Sequence, residues 1–273
     1  MFAVTGATGN VGSEVVATLL AAGEPVRAVV RDPVNANVPA AAEVVAGDLT
    51  APGTLGDAFA GVRAAFVLPG YPGVVAAAAR AGVGHIVLLS GTAAATGHET
   101  NAVTRYMAAA EQELIDSAAS WTIVRPVAFM SNALRWLPQL RAGDEVRVQF
   151  PSIALACLDP ADLGAVAARA LSTDAFRGEI LWPTGPEALL PAEQLAILGR
   201  ALGRDLRAVP LTDDQTRAEL LETTPPAYVD AFFDFYVGGA IDETTVRDTV
   251  QTVTGRPART FADWAAKNAD RFR

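Results

Sequence analysis

Cysteine, histidine and lysine are nearly absent from this sequence. The chain of 273 residues has one cysteine, Cys157, and two histidines, His85 and His98. An intramolecular disulfide and a metal site built from several cysteines are therefore excluded, and a histidine-rich metal site is not expected. The only lysine is Lys267, near the C-terminus, so no reaction that needs a lysine earlier in the chain is available.

The sequence also lacks an excess of positive charge and a long hydrophobic run. The net charge is −9 and the pI is about 4.8, so we do not expect the basic surface that nucleic-acid binding requires. No apolar run reaches the roughly 18 to 20 residues of a membrane helix, and we find no targeting pattern. We therefore expect a cytoplasmic monomer or homodimer that acts on a small molecule and binds neither nucleic acid nor membrane.

Hydrophobic residues make up 51% of the chain, which is enough for a full core. Short apolar runs that predict strands recur in the first half, at 2–5, 25–30, 43–46, 64–68, 85–89 and 121–124. Helical patterns lie between them, at about 11–22, 54–60, 72–81 and 101–119. Strands that alternate with helices predict an α/β fold with a doubly wound parallel sheet of the Rossmann type.

A glycine-rich segment directly follows the first predicted strand. Its glycines are spaced so that Gly6 turns the chain sharply, Gly9 lets backbone amides approach a phosphate, and Gly12 lets the helix pack on the sheet. The pyrophosphate of a dinucleotide would then lie at the helix N-terminus, where free N–H groups favour an anion. The segment predicts these cofactor contacts: Gly6, Thr8, Gly9, Asn10, Val11 and Gly12.

The end of the second predicted strand bears on the choice between NADPH and NADH. Arg31 directly follows Val30, and its guanidinium suits the 2′-phosphate of NADPH in charge and in geometry. An acidic residue at this place would instead bind the 2′-hydroxyl of NADH, and Asp32 keeps that alternative open. We predict NADPH as the cofactor, with NADH the less favoured one.

The carboxyl ends of the other parallel strands are expected to line the same ligand crevice. Asp48 either accepts from the adenine amino group or caps the helix that follows it. Ser90 is either a catalytic donor or a cap. The cofactor contacts predicted at these strand ends are Asp48, Leu49, Leu68, Pro69, Gly70, Ser90 and Pro126.

After residue 126 the pattern becomes mostly helical. It predicts a helix at about 127–137, short strands at 146–150 and 153–158, a helix at 160–171 and a strand at 178–182. Further helices are predicted at about 191–202, 213–222, 226–237, 243–253 and 260–271. We therefore divide the chain into an NAD(P)-binding Rossmann domain at 1–130 and a smaller, mostly helical substrate-side region at 131–273, some of whose segments return to the sheet.

Several motifs occur in a familiar order along nearly the whole chain. They are the glycine segment at 5–12, Gly-Asp-Leu at 47–49, Leu-Leu-Ser at 88–90, Glu111 with Trp-Thr-Ile-Val-Arg-Pro at 121–126, Phe-Met-Ser-Asn at 129–132, and Asp-Pro-Ala-Asp-Leu-Gly at 159–164. Together they resemble the NmrA-like NAD(P)H-binding family of atypical short-chain dehydrogenase/reductases. The resemblance implies a Rossmann fold that binds NAD(P)H and acts either as a reductase or as a cofactor-sensing regulator.

The sequence departs from the wider superfamily at its catalytic pair. That superfamily uses Tyr-x-x-x-Lys, in which the tyrosine is the general acid and the lysine lowers its pKa. Counted from Glu111, the two positions fall on Val103 and Met107, and Tyr106 is followed four residues later by Ala110. Ser90 and Tyr106 remain as catalytic candidates, with Thr92 or water as alternative partners for the substrate oxygen.

A quinone or a conjugated enone accepts a hydride with little help from an acid. We therefore expect an NADPH-dependent oxidoreductase that reduces a small quinone-, enone- or aromatic polyketide-like substrate. The alternative is a non-catalytic NADP(H)-binding redox sensor that acts through a protein partner. The residues expected to cover the nicotinamide and the substrate, unless they are core residues of a short helix, are Phe129, Met130, Asn132 and Trp136.

Four other features have structural and functional interpretations. His98 lies in a polar loop and is a solvated histidine or a proton donor at the rim of the cleft. His85 is expected to be structural, and Cys157 to be a small buried hydrophobe. The aromatic stretch 228–236 has helical spacing and serves as core, as a pocket wall or as a dimer face.

Overall fold

Seven parallel strands form the central sheet of the computed structural model, which describes residues 1–273. The strands of the chain are β1 (Phe2–Thr5), β2 (Val26–Val30), β3 (Glu43–Ala46), β4 (Ala64–Val67), β5 (His85–Leu89), β6 (Ser120–Val124), β7 (Glu145–Val148), β8 (Ile180–Leu181) and β9 (Arg207–Pro210). The sheet has the order β3-β2-β1-β4-β5-β6-β8. Because the order reverses between β1 and β4, a crevice opens there at the carboxyl ends of the strands. The predicted Rossmann-type fold is confirmed.

Helices cover both faces of this sheet. They are α1 (Gly12–Ala21), α2 (Gly56–Phe59), α3 (Val74–Arg80), α4 (Ala102–Ile115), α5 (Leu137–Ala142), α6 (Pro160–Ser172), α7 (Pro191–Leu202), α8 (Asp213–Leu221), α9 (Pro226–Tyr236), α10 (Thr249–Thr254) and α11 (Phe261–Asn268). Short 3₁₀ turns occur at Pro52–Thr54, Thr92–Ala95, Met130–Trp136, Asp174–Phe176 and Ala269–Phe272. None of the helices combines the length and the apolar character that crossing a bilayer requires.

The central strands are buried on both faces, which explains their nearly continuous apolar sequences. Every residue of β1, β4 and β5 is buried. One face packs on α1, α6 and α10, through a cluster that includes Val15, Val166 and Val253. The other face packs on α2, α3 and α4, through Phe59 and other residues. These two clusters hold the strand ends that form the crevice.

The C-terminal half both extends the sheet and builds a second layer beside it. Strand β8 pairs in parallel with β6, and α6 packs against α1. A third apolar cluster joins α7, α11 and the small parallel pair of β7 and β9. Residues 131–273 therefore return to the Rossmann sheet and also form the helical region at its edge.

Two predicted elements, one strand and one helix, are wholly or partly irregular in the structure. The strand predicted at 153–158 is wrong, because its contacts are isolated bridges to two different partners, Leu155 to Leu189 and Leu158 to Phe129. The helix predicted at 243–253 begins only at Thr249. The Asp242 carboxylate accepts from the Thr244 backbone N–H at 2.9 Å and from the Thr245 hydroxyl at 2.5 Å, which stabilises a turn in place of a helix.

Strand pairing beside the cleft also differs from the prediction. Strand β7 ends at Val148 because Phe150 has φ of 48°, in the left-handed region that breaks an extended chain. Strand β9 was not predicted, since a four-residue segment that ends in Pro210 does not carry a strand pattern. The helix predicted at 127–137 forms later, as the 3₁₀ turn Met130–Trp136 and then α5.

A buried carboxylate fastens the C-terminal segment to the Rossmann half. Asp162, in the first turn of α6, has no exposed surface. It accepts from the Arg259 backbone N–H at 2.7 Å and from the guanidinium groups of Arg256 at 2.6 Å and Arg259 at 2.5 Å. Charge-assisted bonds of this kind are strong where water is excluded. Asp162 therefore holds the chain that leads into α11.

We expect Asp162→Ala to destabilise the protein by about 3 kcal/mol, because it leaves two guanidinium groups and a backbone N–H without their partner. The control is Asp270→Ala, which removes an exposed 2.7 Å ion pair with Arg273 and should cost less than about 1 kcal/mol. Urea denaturation followed by circular dichroism measures both. Equal losses in the two variants would contradict the role assigned to Asp162.

Candidate functional site

The glycine segment forms a tight turn between β1 and α1 in which side chains have no room. Gly6 has φ of 61°, and a Cβ atom on it would lie 2.5 Å from Leu68 Cδ1. A Cβ on Gly12 would lie 2.1 Å from the Gly6 carbonyl oxygen. Helix α1 begins at Gly12 and has no side-chain cap. The Ser13 N–H donates to the Gly9 carbonyl oxygen at 3.1 Å and the Glu14 N–H to that of Val11 at 3.0 Å, so the predicted pyrophosphate contact falls to the N–H groups of the turn before them.

A first cavity opens beside this turn and brings together half of the predicted cofactor contacts. We call it the adenosine-side cavity. It is lined by Gly6, Thr8, Gly9, Val29, Val30, Arg31, Gly47, Asp48, Leu49, Thr50, Leu68 and Tyr71. Residues at the ends of β1, β2 and β3 line this cavity together with Arg31. The cavity therefore has the parts that a nucleotide with a 2′-phosphate requires.

The two carboxylates near Arg31 are bound to their own loops. Asp32 does not line the cavity; its oxygens accept from the Val34 N–H at 3.1 Å and from the Asn35 side chain at 2.7 Å. Asp48 accepts from the Thr50 N–H at 2.9 Å and from the Thr50 hydroxyl at 2.7 Å, within the turn before Pro52–Thr54; that 3₁₀ turn has no side-chain cap, so Asp48 does not cap a helix. These hydrogen bonds, with a smaller contribution from the Arg31 charge, hold the pKa of Asp48 below its usual value.

A second cavity of about 420 Å³ lies at the ends of β5 and β6, and we call it the central cavity. The residues of its lining that have a predicted cofactor, catalytic or substrate role, each still a prediction, are Pro69, Ser90, Tyr106, Pro126, Phe129 and Asn132. Met130 and Trp136 do not: they are 1% and 2% exposed and belong to the third apolar cluster. The prediction of a substrate wall therefore now depends on Phe129 and Asn132.

Four predicted cofactor contacts lie outside the lining of both cavities: Asn10, Val11, Gly12 and Gly70. The Asn10 amide donates to the Ser131 hydroxyl at 2.8 Å and so joins the glycine turn to the 130–136 segment. Val11 is buried in the sheet core. Gly70 has φ of 82° and lies against the Tyr106 ring. Direct contact of these residues with a cofactor remains a prediction.

A buried network explains the motif that joins Glu111 to the Arg-Pro pair. The Ser90 hydroxyl donates to Glu111 Oε1 at 2.5 Å, and Arg125 Nε donates to the same oxygen at 2.8 Å. A second bond joins Arg125 Nη2 to Glu111 Oε2. Because its proton is held by Glu111, Ser90 offers the cavity only its oxygen. The network fixes α4 against the ends of β5 and β6.

Tyr106 faces the central cavity without a cation beside it. Its ring lies 6.4 Å from the ring of Tyr228, between centroids. Burial, and to a smaller extent Tyr228, raises the pKa of Tyr106. A lysine would have the opposite effect. The tyrosine keeps its proton and is a weaker acid than the tyrosine of a Tyr-x-x-x-Lys pair.

Glu243 is a functional candidate that the sequence did not reveal. It is 7% exposed and lines the central cavity. Its Oε1 accepts from the Thr92 hydroxyl at 2.8 Å, and its Oε2 accepts from the Tyr236 hydroxyl at 3.5 Å. Burial raises the pKa of Glu243, although these bonds oppose the shift. The cavity therefore contains a carboxyl group that keeps its proton to a higher pH than an exposed glutamate.

The histidines and the cysteine do not contribute to the central cavity. His85 is 3% exposed and pairs with the Ser120 hydroxyl at 3.0 Å, so it is structural as expected. His98 pairs with Asp234 of α9 at 3.2 Å. Cys157 is buried, as predicted, and burial raises the pKa of its thiol to about 12. The aromatic helix α9, by contrast, supplies part of the cavity wall, including Tyr228 and Phe232.

Comparison with known proteins places this geometry in a family. The model of a family described as NAD(P)H-binding matches residues 6–171. A (4-alkanoyl-5-oxo-2,5-dihydrofuran-3-yl)methyl phosphate reductase of Streptomyces griseus is 41% identical over 100% of this chain and 99% of its own length. An NAD(P)H azoreductase of Xenophilus azovorans is 36% identical, with the same coverage of 100% and 99%.

A solved structure agrees with these relatives. The NADPH-dependent quinone oxidoreductase of Escherichia coli superposes with a TM-score of 0.80 at 25% identity, over 98% of this chain and 99% of the other. The family predicted from the glycine segment and from residues 111–132 is confirmed. The chain belongs to the NAD(P)H-binding family and is an NAD(P)H-dependent reductase that acts on a small molecule.

Proposed function

We propose that this reductase uses NADPH to reduce a conjugated carbon–carbon double bond in a small enone. The observation that carries the proposal is the pair of neighbouring cavities. One combines Arg31 with the glycine turn, and the other combines an apolar wall with the buried carboxyl group of Glu243. The first suits a phosphorylated dinucleotide, and the second suits an apolar electrophile that also needs a proton.

The choice of an enone is supported by the relative that is 41% identical. Its named substrate carries a ring double bond conjugated to a lactone carbonyl and to an alkanoyl carbonyl. Such a double bond accepts a hydride readily, because the carbonyl groups take up the developing negative charge. A site with no Tyr-x-x-x-Lys pair is adequate for this reaction, whereas a simple ketone would need a stronger acid.

In the proposed complex Arg31 binds the 2′-phosphate, and the N-terminus of α1 binds the pyrophosphate. Bound NADPH supplies a hydride to the electrophilic carbon of the substrate. Phe129 and the aromatic residues of α9 exclude water from the central cavity and orient the substrate. The Glu111 network holds the ends of β5 and β6 in place beneath it.

Hydride addition to an enone leaves an enolate, which must take up a proton at carbon or oxygen. Glu243 is suited to donate this proton, because the group lines the cavity and burial raises the pKa of its carboxyl group. The hydroxyl groups of Thr92 and Tyr236 hold the resulting carboxylate. Proton exchange with water through these groups would restore the acid for the next turnover.

Wild-type protein should oxidise NADPH in the presence of the alkanoyl-dihydrofuranone phosphate and of a simple quinone, but not of a saturated ketone. The reason is that only the conjugated acceptors stabilise charge without a strong acid. Loss of absorbance at 340 nm measures the reaction. Tight NADPH binding without turnover of any acceptor would contradict the proposal and favour the sensor alternative.

Arg31→Ala should weaken NADPH binding by about 10- to 100-fold and leave NADH binding nearly unchanged, since only NADPH has a 2′-phosphate to lose its partner. Isothermal titration with each cofactor measures both affinities. Arg80→Ala removes a surface arginine at the end of α3 and serves as the matched control. If both cofactors lost affinity equally, the assignment of Arg31 to the 2′-phosphate would be wrong.

Glu243→Gln should lower kcat by about 100-fold, the usual contribution of a positioned acid. In the wild type, kcat should fall as pH rises through the raised pKa of Glu243, because the carboxyl group then loses the proton that it donates. This descending limb should disappear in the variant. The control, Glu222→Gln, changes an exposed carboxylate at the end of α8. A variant that keeps the wild-type pH profile would refute the assignment.

A further inference from the structure

A third cavity, which we call the side cavity, adjoins the central one. Ala128, Asn132, Phe232 and Tyr236 line both. Beyond these shared residues, the side cavity continues between the end of β7, the start of α7 and the end of α8, with a volume of about 160 Å³. A molecule that reacts in the central cavity could therefore place a substituent in the side cavity.

Arg135 is the one charged residue in the lining of the side cavity. It forms no ion pair and no hydrogen bond in the structure; its guanidinium carbon lies 5.8 Å from the centroid of the Trp136 ring. The nearest titratable groups are Tyr236 and the Cys157 thiol, whose pKa values are both raised by burial, so they carry no compensating charge. The arginine is thus a cation without a partner.

Arg135 is exposed to solvent and also borders the side cavity. Packing of neighbouring protein around its side chain lowers the pKa of Arg135. The cavity wall is mainly apolar, with side chains such as Phe150, Ile153 and Leu155. An anion that enters against such a wall loses water and is stabilised chiefly by an opposite charge that also donates hydrogen bonds to it. Arg135 is the residue of the lining that provides this charge.

The lining also shows which ligand would fit. The chain has 30 acidic residues, yet no carboxylate lines the side cavity. An entering anion therefore meets no repulsion there. The neutral amides of Asn132 and Gln149 line the cavity with the guanidinium, whereas the Gln194 amide donates to Cys157 Sγ and to the Leu189 carbonyl oxygen. Amide N–H groups and a guanidinium fork are the donors that bind the oxygens of a phosphate or a carboxylate.

We propose that Arg135 is a specificity residue that binds a phosphate or carboxylate group of the substrate while its reacting double bond lies in the central cavity. This inference rests on the proposed function and adds the charge of the substrate to it. Arg135 does not contact the reacting atoms, so it binds the ground state and the transition state equally. Its loss should therefore raise KM and leave kcat nearly unchanged.

The test compares the alkanoyl-dihydrofuranone phosphate with the same furanone that carries a free hydroxymethyl group. Each is titrated calorimetrically into protein saturated with NADP⁺, which occupies the anion site at Arg31. Wild-type protein should bind the phosphate at least about 10-fold more tightly than the alcohol. Arg135→Gln should remove this preference, with a loss of about 10- to 100-fold for the phosphate and none for the alcohol.

Two further variants keep the test decisive. Arg141→Gln removes an exposed positive charge from the nearby helix α5 and should bind both compounds as the wild type does. Arg135→Lys keeps the charge without the fork geometry and should retain part of the preference, which also decides the matter if Arg135→Gln does not fold. Equal losses for the two compounds, or a wild type without preference, would overturn the assignment.

Turnover separates this inference from the proposed function. If the wild type binds the phosphate preferentially through Arg135 but reduces neither furanone, the anion site stands and the proposed reaction fails. If it reduces both compounds with the same kcat/KM, and Arg135→Gln changes neither value, the reaction stands and the anion site fails.

Discussion

The close approach of α1 to the end of β1 is the constraint on which the rest of the molecule depends. A Cβ on Gly12 would lie 2.1 Å from the Gly6 carbonyl oxygen, so the helix starts directly on the turn. On its other side, a Cβ on Gly164 of α6 would lie 2.6 Å from Glu14 Cβ. Helix α1 is therefore fixed between the sheet and α6, with its N-terminus at the crevice beside the end of β1.

Charged residues that stabilise the fold differ in their partners from charged residues that line the cavities. Buried charges that stabilise the fold are paired, as in the network of Ser90, Glu111 and Arg125. The groups that we assign to ligands differ, because Arg31 opens into one cavity and Arg135 lines another without a partner. Glu243 differs from both, since neutral donors, the hydroxyl groups of Thr92 and Tyr236 and the Ala128 backbone, and no cation, satisfy its carboxyl group. A carboxyl group in such surroundings can give up a proton and take it back.

The sequence predicts the strands and turns of the first half of the chain better than those of the second half. Six strands and the glycine turn were readable, because each buried parallel strand is a short apolar run with a helix after it. The segment at 153–158 has the same apolar character but lacks a continuous partner strand. Strand β9 has a partner in β7 but almost no pattern of its own. Met130 and Trp136 have the composition of a pocket wall, and only the packing of α7 and α11 around them made them core.

Short stretches of sequence specify the Rossmann fold, the glycine turn after β1, the basic residue after β2 and the absence of a lysine-based acid. These properties are local, since each depends on residues within one strand–turn–helix unit or on composition. Long-range packing brings the Glu243 carboxyl group to the central cavity and leaves the Arg135 guanidinium at the side cavity without a partner in the chain. Thr92 and Glu243 are 151 residues apart and meet because the 240–248 segment folds back over the strand ends. Arg135 lacks a partner because none of the elements that line the side cavity places a carboxylate there. No short stretch of sequence predicts this arrangement, since the lining comes from several distant segments.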